Sequence, residues 1–181
     1  MALSERERQV LLKVAREAIA SKLEGREEML PEPDTENLKA KNGAFVTIKI
    51  DNNLRGCIGI FEGRADLIHT VFEMARAAAF SDPRFPPLSE KEFEKISIEI
   101  SVLSPITPID SPEKVEVGKH GLVVSRGFHR GVLLPQVPVE YGWDREEFLR
   151  HTCLKAGLPP DAWKEPDTRL EVFTAEVFGE E

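Results

Sequence analysis

Residues 43–60 read Gly-Ala-Phe-Val-Thr-Ile-Lys-Ile, then Asp-Asn-Asn, then Leu-Arg-Gly-Cys-Ile-Gly-Ile. Two alternating runs flank turn-forming residues, so the stretch predicts an antiparallel hairpin. Val46, Ile48 and Ile50 share one face of the first strand. Leu54, Gly56, Ile58 and Ile60 share a face of the second, with Arg55, Cys57 and Gly59 on the other. A two-residue turn would mix apolar and charged residues on both faces. A three-residue loop at 51–53 avoids this, pairing Ile50 with Leu54, Lys49 with Arg55, Ile48 with Gly56 and Thr47 with Cys57. That register gathers Thr47, Lys49, Arg55 and Cys57 on one face, where two opposed cations repel unless an anion sits near. Gly56 and Gly59 bracket the thiol, and glycine inside a strand marks a bulge or a close approach to the backbone.

Outward from the hairpin, helical and strand signals alternate without the βαβ order of a nucleotide-binding sheet. Ser4 and Glu7 form a capping-box pattern before Val10, Leu11, Val14, Ala18 and Ile19, and Gly25 ends that helix. Residues 30–37 are a loop in which Asp34 is placed to cap a short helix. Residues 64–80 predict a helix stopped by Asp82-Pro83-Arg84-Phe85-Pro86-Pro87, and Ser89 with Glu92 caps a short helix after it. Lys95 to Leu103 alternates strictly as a strand. From about 106 to 119 proline and charge replace large apolar residues, which marks a lobe boundary. Gly121–Arg126 and Gly131–Leu134 predict a second hairpin, 135–142 reads as irregular, and Asp144 with Glu147 caps a helix through Ala156. Leu170 to Phe178 reads as one long strand returning to the first sheet. The fold class is α+β with antiparallel pairing.

The chain has 181 residues, 41% hydrophobic and 31% charged, with a net charge of -8. A chain of this size buries about 70% of its unfolded surface and needs no metal or disulfide to make a core. The negative charge argues against a broad nucleic-acid footprint. Cys57 and Cys153 form no paired motif, and His69, His120, His129 and His151 are scattered, so no metal is assigned. Phosphate-binding glycine loops, a nucleophile elbow and a zinc-protease motif are all absent. A charged N-terminus leading into an amphipathic helix is no signal peptide, and no apolar run is long enough to span a membrane. The expected location is cytoplasmic, without membrane attachment.

Leu54 to Gly59 resembles the signature of the AMMECR family, named after a human chromosomal region. Gly43–Thr47, Asp82–Pro87, Ser101–Pro105, Leu133–Val137 and Gly142–Asp144 resemble the family's other blocks in the same order, so the resemblance spans nearly the whole chain. It implies a larger subdomain, about 1–110 plus 166–181, built from both chain ends around an antiparallel sheet with flanking helices. A smaller α/β subdomain, about 111–165, is inserted, and the signature strand faces a cleft between them. It also implies a functional link to Memo-like and radical-SAM proteins. No family activity is established, and no cofactor is implied.

Cys57 is a candidate nucleophile if a cation or base lowers its pKa, against the plainer reading of a thiol packed beside glycine. Arg55 and Arg84 are candidate anion anchors, or else internal ion pairs with Glu99 or Asp82. Glu99, between two serines, is a candidate general base or arginine orienter. Thr47, Gly56 and Gly59 of the same strand pair are further candidates for substrate binding. Gln136 and Trp143 would read a ligand by amide bonding and stacking, although Trp143 also suits a packing anchor. Cys153 reads as core and His151 as exposed. The leading expectation is an enzyme of unestablished reaction holding a sizeable substrate in the cleft. The alternatives are a non-catalytic protein- or peptide-binding module and, third, RNA or nucleotide binding.

Overall fold

The computed structural model describes residues 2–181. In chain order the elements are α1 (Glu5–Glu24), α2 (Glu36–Lys39), β1 (Asn42–Ile50), β2 (Asn53–Glu62), α3 (Leu67–Phe80), α4 (Glu90–Phe93) and β3 (Ile96–Leu103). There follow β4 (Thr107–Pro108), β5 (Gly121–Arg126), β6 (His129–Leu133), α5 (Gln136–Tyr141), α6 (Arg145–Lys155), β7 (Arg169–Phe173) and β8 (Ala175–Gly179). The fold is α+β, with two antiparallel four-stranded sheets ordered β2-β1-β3-β8 and β4-β7-β5-β6. Two compact units result: Met1–Leu103 with Glu176–Glu181, and Ser104–Ala175. Residues 104–110 and 166–175 fall in the second unit because β4 pairs with β7 there.

The first unit is built on apolar alternation. Ala44, Val46 and Ile48 of β1 and Ile98 and Ile100 of β3 are buried on one face, under α1 and α3. Ser4 caps α1 by accepting from the Glu7 amide at 3.2 Å, while the Glu7 carboxylate accepts from the Ser4 amide at 2.7 Å. That carboxylate, 4% exposed, also takes bonds from the Thr35 hydroxyl and the Asn37 amide. The Thr35 bond does most to lower its pKa to about 2. Thr35, not Asp34, caps α2; Asp34 pairs instead with Arg6.

The hairpin loop has two residues rather than the expected three. Asp51 and Asn52 both have positive φ, 51° and 63°, and Ile50 pairs with Asn53. Such a turn matches the right-handed strand twist and suits Asn and Asp. The offset that amphipathicity demands is restored by a bulge: Lys49 pairs with Leu54, Ile48 with Gly56, and Arg55 is the extra residue. Thr47 therefore faces Cys57 as expected, but Lys49 and Arg55 are not opposite each other.

In the second unit, Leu122, Val124, Leu170 and Val172 of the sheet are buried with Phe148, Leu149 and Cys153 of α6. A Cβ on Gly131 would lie 2.4 Å from the Ala156 amide nitrogen, so β6 approaches α6 as only glycine permits. Burial pushes the Cys153 thiol pKa up, consistent with core packing. The β5–β6 turn is tighter than expected, and residues 136–141 form α5 rather than an irregular stretch. The expected strand 170–178 is two strands in different sheets. Between them Thr174 pairs with Ser104, amide to hydroxyl and carbonyl to amide, each at 2.8 Å.

Candidate functional site

Cys57, Thr47 and Glu99 occupy one lateral row across β2, β1 and β3. Paired residues of antiparallel strands project to the same face, opposite the one carrying Ala44, Val46 and Ile48. The Cys57 amide points away from β1, into the Asp82 carboxylate at 3.0 Å, and an Arg84 Nη2–H approaches the Cys57 carbonyl at 3.5 Å. Thr47 and Cys57 are thus a pair without mutual backbone bonds, the kind whose side chains come closest. Their Oγ1 and Sγ atoms are 3.2 Å apart. Lys49, one residue along the same face from this row, binds the Glu99 carboxylate at 3.3 Å, with both side chains about a third exposed. Cys57 is a free, half-buried thiol.

The two glycines open opposite faces. A Cβ on Gly56 would lie 2.1 Å from the Ala78 carbonyl oxygen, so Gly56 lets β2 settle against α3. A Cβ on Gly59 would lie 2.3 Å from the Phe45 ring, which lies over the strand beside the row.

Arg55 and Arg84 both end in internal ion pairs, by different means. The bulge turns Arg55 into the protein, leaving it 8% exposed. Its Nε and Nη2 donate to both Glu92 oxygens at 2.8 and 3.2 Å, and Nη2 also donates to the Pro86 carbonyl at 2.7 Å. Its Nη1 is buried without a partner among the described residues. The Arg55 bond does most to lower the Glu92 pKa to about 2, and Glu92 also receives the Ser89 amide of the α4 cap. Arg84 is about half exposed and pairs with Asp82, whose carboxylate lies well below its ordinary range, chiefly through the Arg84 bonds. The Phe85 ring has both guanidiniums near it, at 5.6 and 5.5 Å.

Two roles escaped the sequence reading. Glu92 is legible as a helix cap, but its second duty to Arg55 has no local signal. Asp82 follows from its turn only as an arginine neighbour, and its bond to the β2 edge is long-range. Gln136 and Trp143 lie in the second unit, Gln136 as the first residue of α5 and Trp143 just before α6. Trp143 stacks on His151 at 3.9 Å and on Tyr141 at 4.9 Å, so His151 is a stacking partner rather than merely exposed.

The AMMECR1 family profile matches residues 12–178. The chain belongs to the AMMECR1 family. Protein MK0488 of Methanopyrus kandleri is 50% identical, the alignment covering 97% of this chain and 89% of the relative. Protein NEQ441 of Nanoarchaeum equitans is 45% identical, over 94% and 99%. The crystal structure of the uncharacterized protein PH0010 from Pyrococcus horikoshii is similar, with a TM-score of 0.82 and 44% identity over 94% of this chain and 90% of that one. This AMMECR1 fold carries no described helix long and apolar enough to cross a membrane.

Proposed function

We propose that this AMMECR1-family chain is an enzyme that acts through the thiol of Cys57 on a substrate bearing an anionic group. The observation that supports the reading is the row of thiol, hydroxyl and carboxylate in register across three strands. A thiol becomes a nucleophile when its proton has somewhere to go and its anion is stabilised. Thr47 Oγ1 relays that proton, taking it from the thiol as its own hydroxyl proton passes to Glu99, next in the row, which is the base. The half-exposed Arg84 guanidinium, held by Asp82, approaches the Cys57 carbonyl at 3.5 Å, which puts a cation beside the reactive residue. Arg84 then anchors the substrate's anionic group. Arg55, tied to Glu92 and Pro86, is a positioning residue that holds the bulge and so the direction of Cys57.

The test is alkylation of the intact chain by iodoacetamide, with mass-spectrometric mapping, beside a search for copurified ligands. Modification of Cys57 but not of buried Cys153, abolished in Cys57→Ser, is the expected result. An inert Cys57 in the folded chain overturns the nucleophile. So does a stoichiometric protein partner whose binding survives Cys57→Ser and fails on Arg84→Ala, which would make the surface a binding module.

A further inference from the structure

Helices α5 and α6 of the second unit line one open cavity of about 670 Å³. Val137, Glu140 and Tyr141 come from α5, and His151, Leu154 and Lys155 from α6. Each set has the i, i+3, i+4 spacing that puts residues on one helix face. Tyr141 and His151 lie nearly parallel to Trp143, at interplanar angles of 14° and 1°. Tyr141 is 69% exposed, so much of its ring surface is open to water.

From this arrangement we infer that the α5–α6 groove binds a guanine mononucleotide. Near-parallel rings with open surface are a platform for another planar ring, and stacking tolerates any base. The polar groups supply the choice. Glu140, the neighbour of Tyr141, offers two carboxylate oxygens that only accept hydrogen bonds. Guanine presents N1–H and N2–H2 side by side on its Watson–Crick edge and satisfies both; adenine has an unprotonated N1 there and is repelled. Lys155, on the opposite helix, supplies the cation for the phosphate. The net charge of -8 disfavours a polyanion such as RNA, but a mononucleotide brings a single phosphate.

The experiment is titration of the full chain with GMP, guanosine and AMP, read by saturation-transfer NMR and tryptophan fluorescence, with circular dichroism verifying each variant's fold. Saturable GMP binding is expected, with guanosine and AMP weaker. Tyr141→Ala weakens GMP on the order of tenfold, while Tyr141→Phe retains it. Glu140→Gln removes the preference over AMP, and Lys155→Ala removes the preference over guanosine. The assignment is overturned if GMP shows no saturable binding, if GMP and AMP bind equally to the unsubstituted chain, or if Tyr141→Ala leaves binding unchanged.

Discussion

The Asp82 carboxylate accepts the outward amide of Cys57 at 3.0 Å while only 2% of its side chain is exposed. β2 is an edge strand, and an edge presents unpaired N–H and C=O groups that must find partners. Here a side chain from a turn takes the place of a neighbouring strand. The turn is well suited to it: Pro83 presets the backbone, and the Phe85 amide closes on the Asp82 carbonyl at 3.1 Å.

Asp82→Ala should leave the Cys57 amide and the Arg84 guanidinium without their shared acceptor. A buried donor left unsatisfied costs about 1–3 kcal/mol. Chemical denaturation should report a loss of that order, and hydrogen exchange at the Cys57 amide should accelerate. An unchanged exchange rate would mean that the carboxylate is not what protects this edge.

Gly56→Ala places a Cβ against the Ala78 carbonyl, a backbone atom that cannot swing aside. Overpacking of this kind costs about 1–3 kcal/mol. The loss should appear in the denaturation midpoint. Gly127→Ala is a useful contrast, because its Cβ meets nothing within 4 Å and only its φ of 60° opposes it.

Acid should weaken the fold through Glu7 and Glu92. Both have folded pKa values of about 2, below the ordinary 4.5, so folding favours their ionised forms. Their stabilisation is complete above about pH 4.5 and is lost as pH falls toward 2. Denaturation midpoints across that range should fall less steeply in Glu7→Gln than in the unsubstituted chain.

Thr47→Val keeps the shape beside Cys57 and removes its hydroxyl partner. One hydrogen bond is worth about 1 kcal/mol, or roughly fivefold in an equilibrium. Iodoacetamide should therefore modify Cys57 a few-fold more slowly at neutral pH. Faster alkylation would show that Thr47 shields the thiol rather than stabilising its anion.

The sequence carried most of what is periodic. Alternation found β1, β2 and β3, helical spacing found α1, α3 and α6, and Ser4, Ser89 and Asp144 announced their caps. It also found that Thr47 faces Cys57, because burial of Ile48 and Val46 leaves no other register. It did not find how the chain reaches that register, since a tight turn plus a bulge and a longer loop give the same offset. It missed α5, where Pro135 and Pro138 mask a helix that begins beside one proline and contains another. Leu170 to Phe178 alternates well enough for a single strand, and the change of sheet at Thr174 leaves no mark in the pattern. Arg84's partner, Asp82, was in view two residues away in the turn, but Glu92, 37 residues from Arg55, was hardest to read, because ion pairs between distant residues have no period.

That change of sheet sets an order of assembly. The second unit is one uninterrupted stretch, Ser104–Ala175, closed by the pairing of β4 with β7 across 65 residues. The first needs Glu176–Glu181 to lie beside β3, where the Glu180 carboxylate binds Arg16 and the Ile98 amide. Its last strand follows Thr174, which the second unit bonds to Ser104 just after β3, so folding of that unit first shortens the closure that brings β8 to β3. Until then β3 is itself an open edge, and the row of Cys57, Thr47 and Glu99 stands on an unfinished sheet.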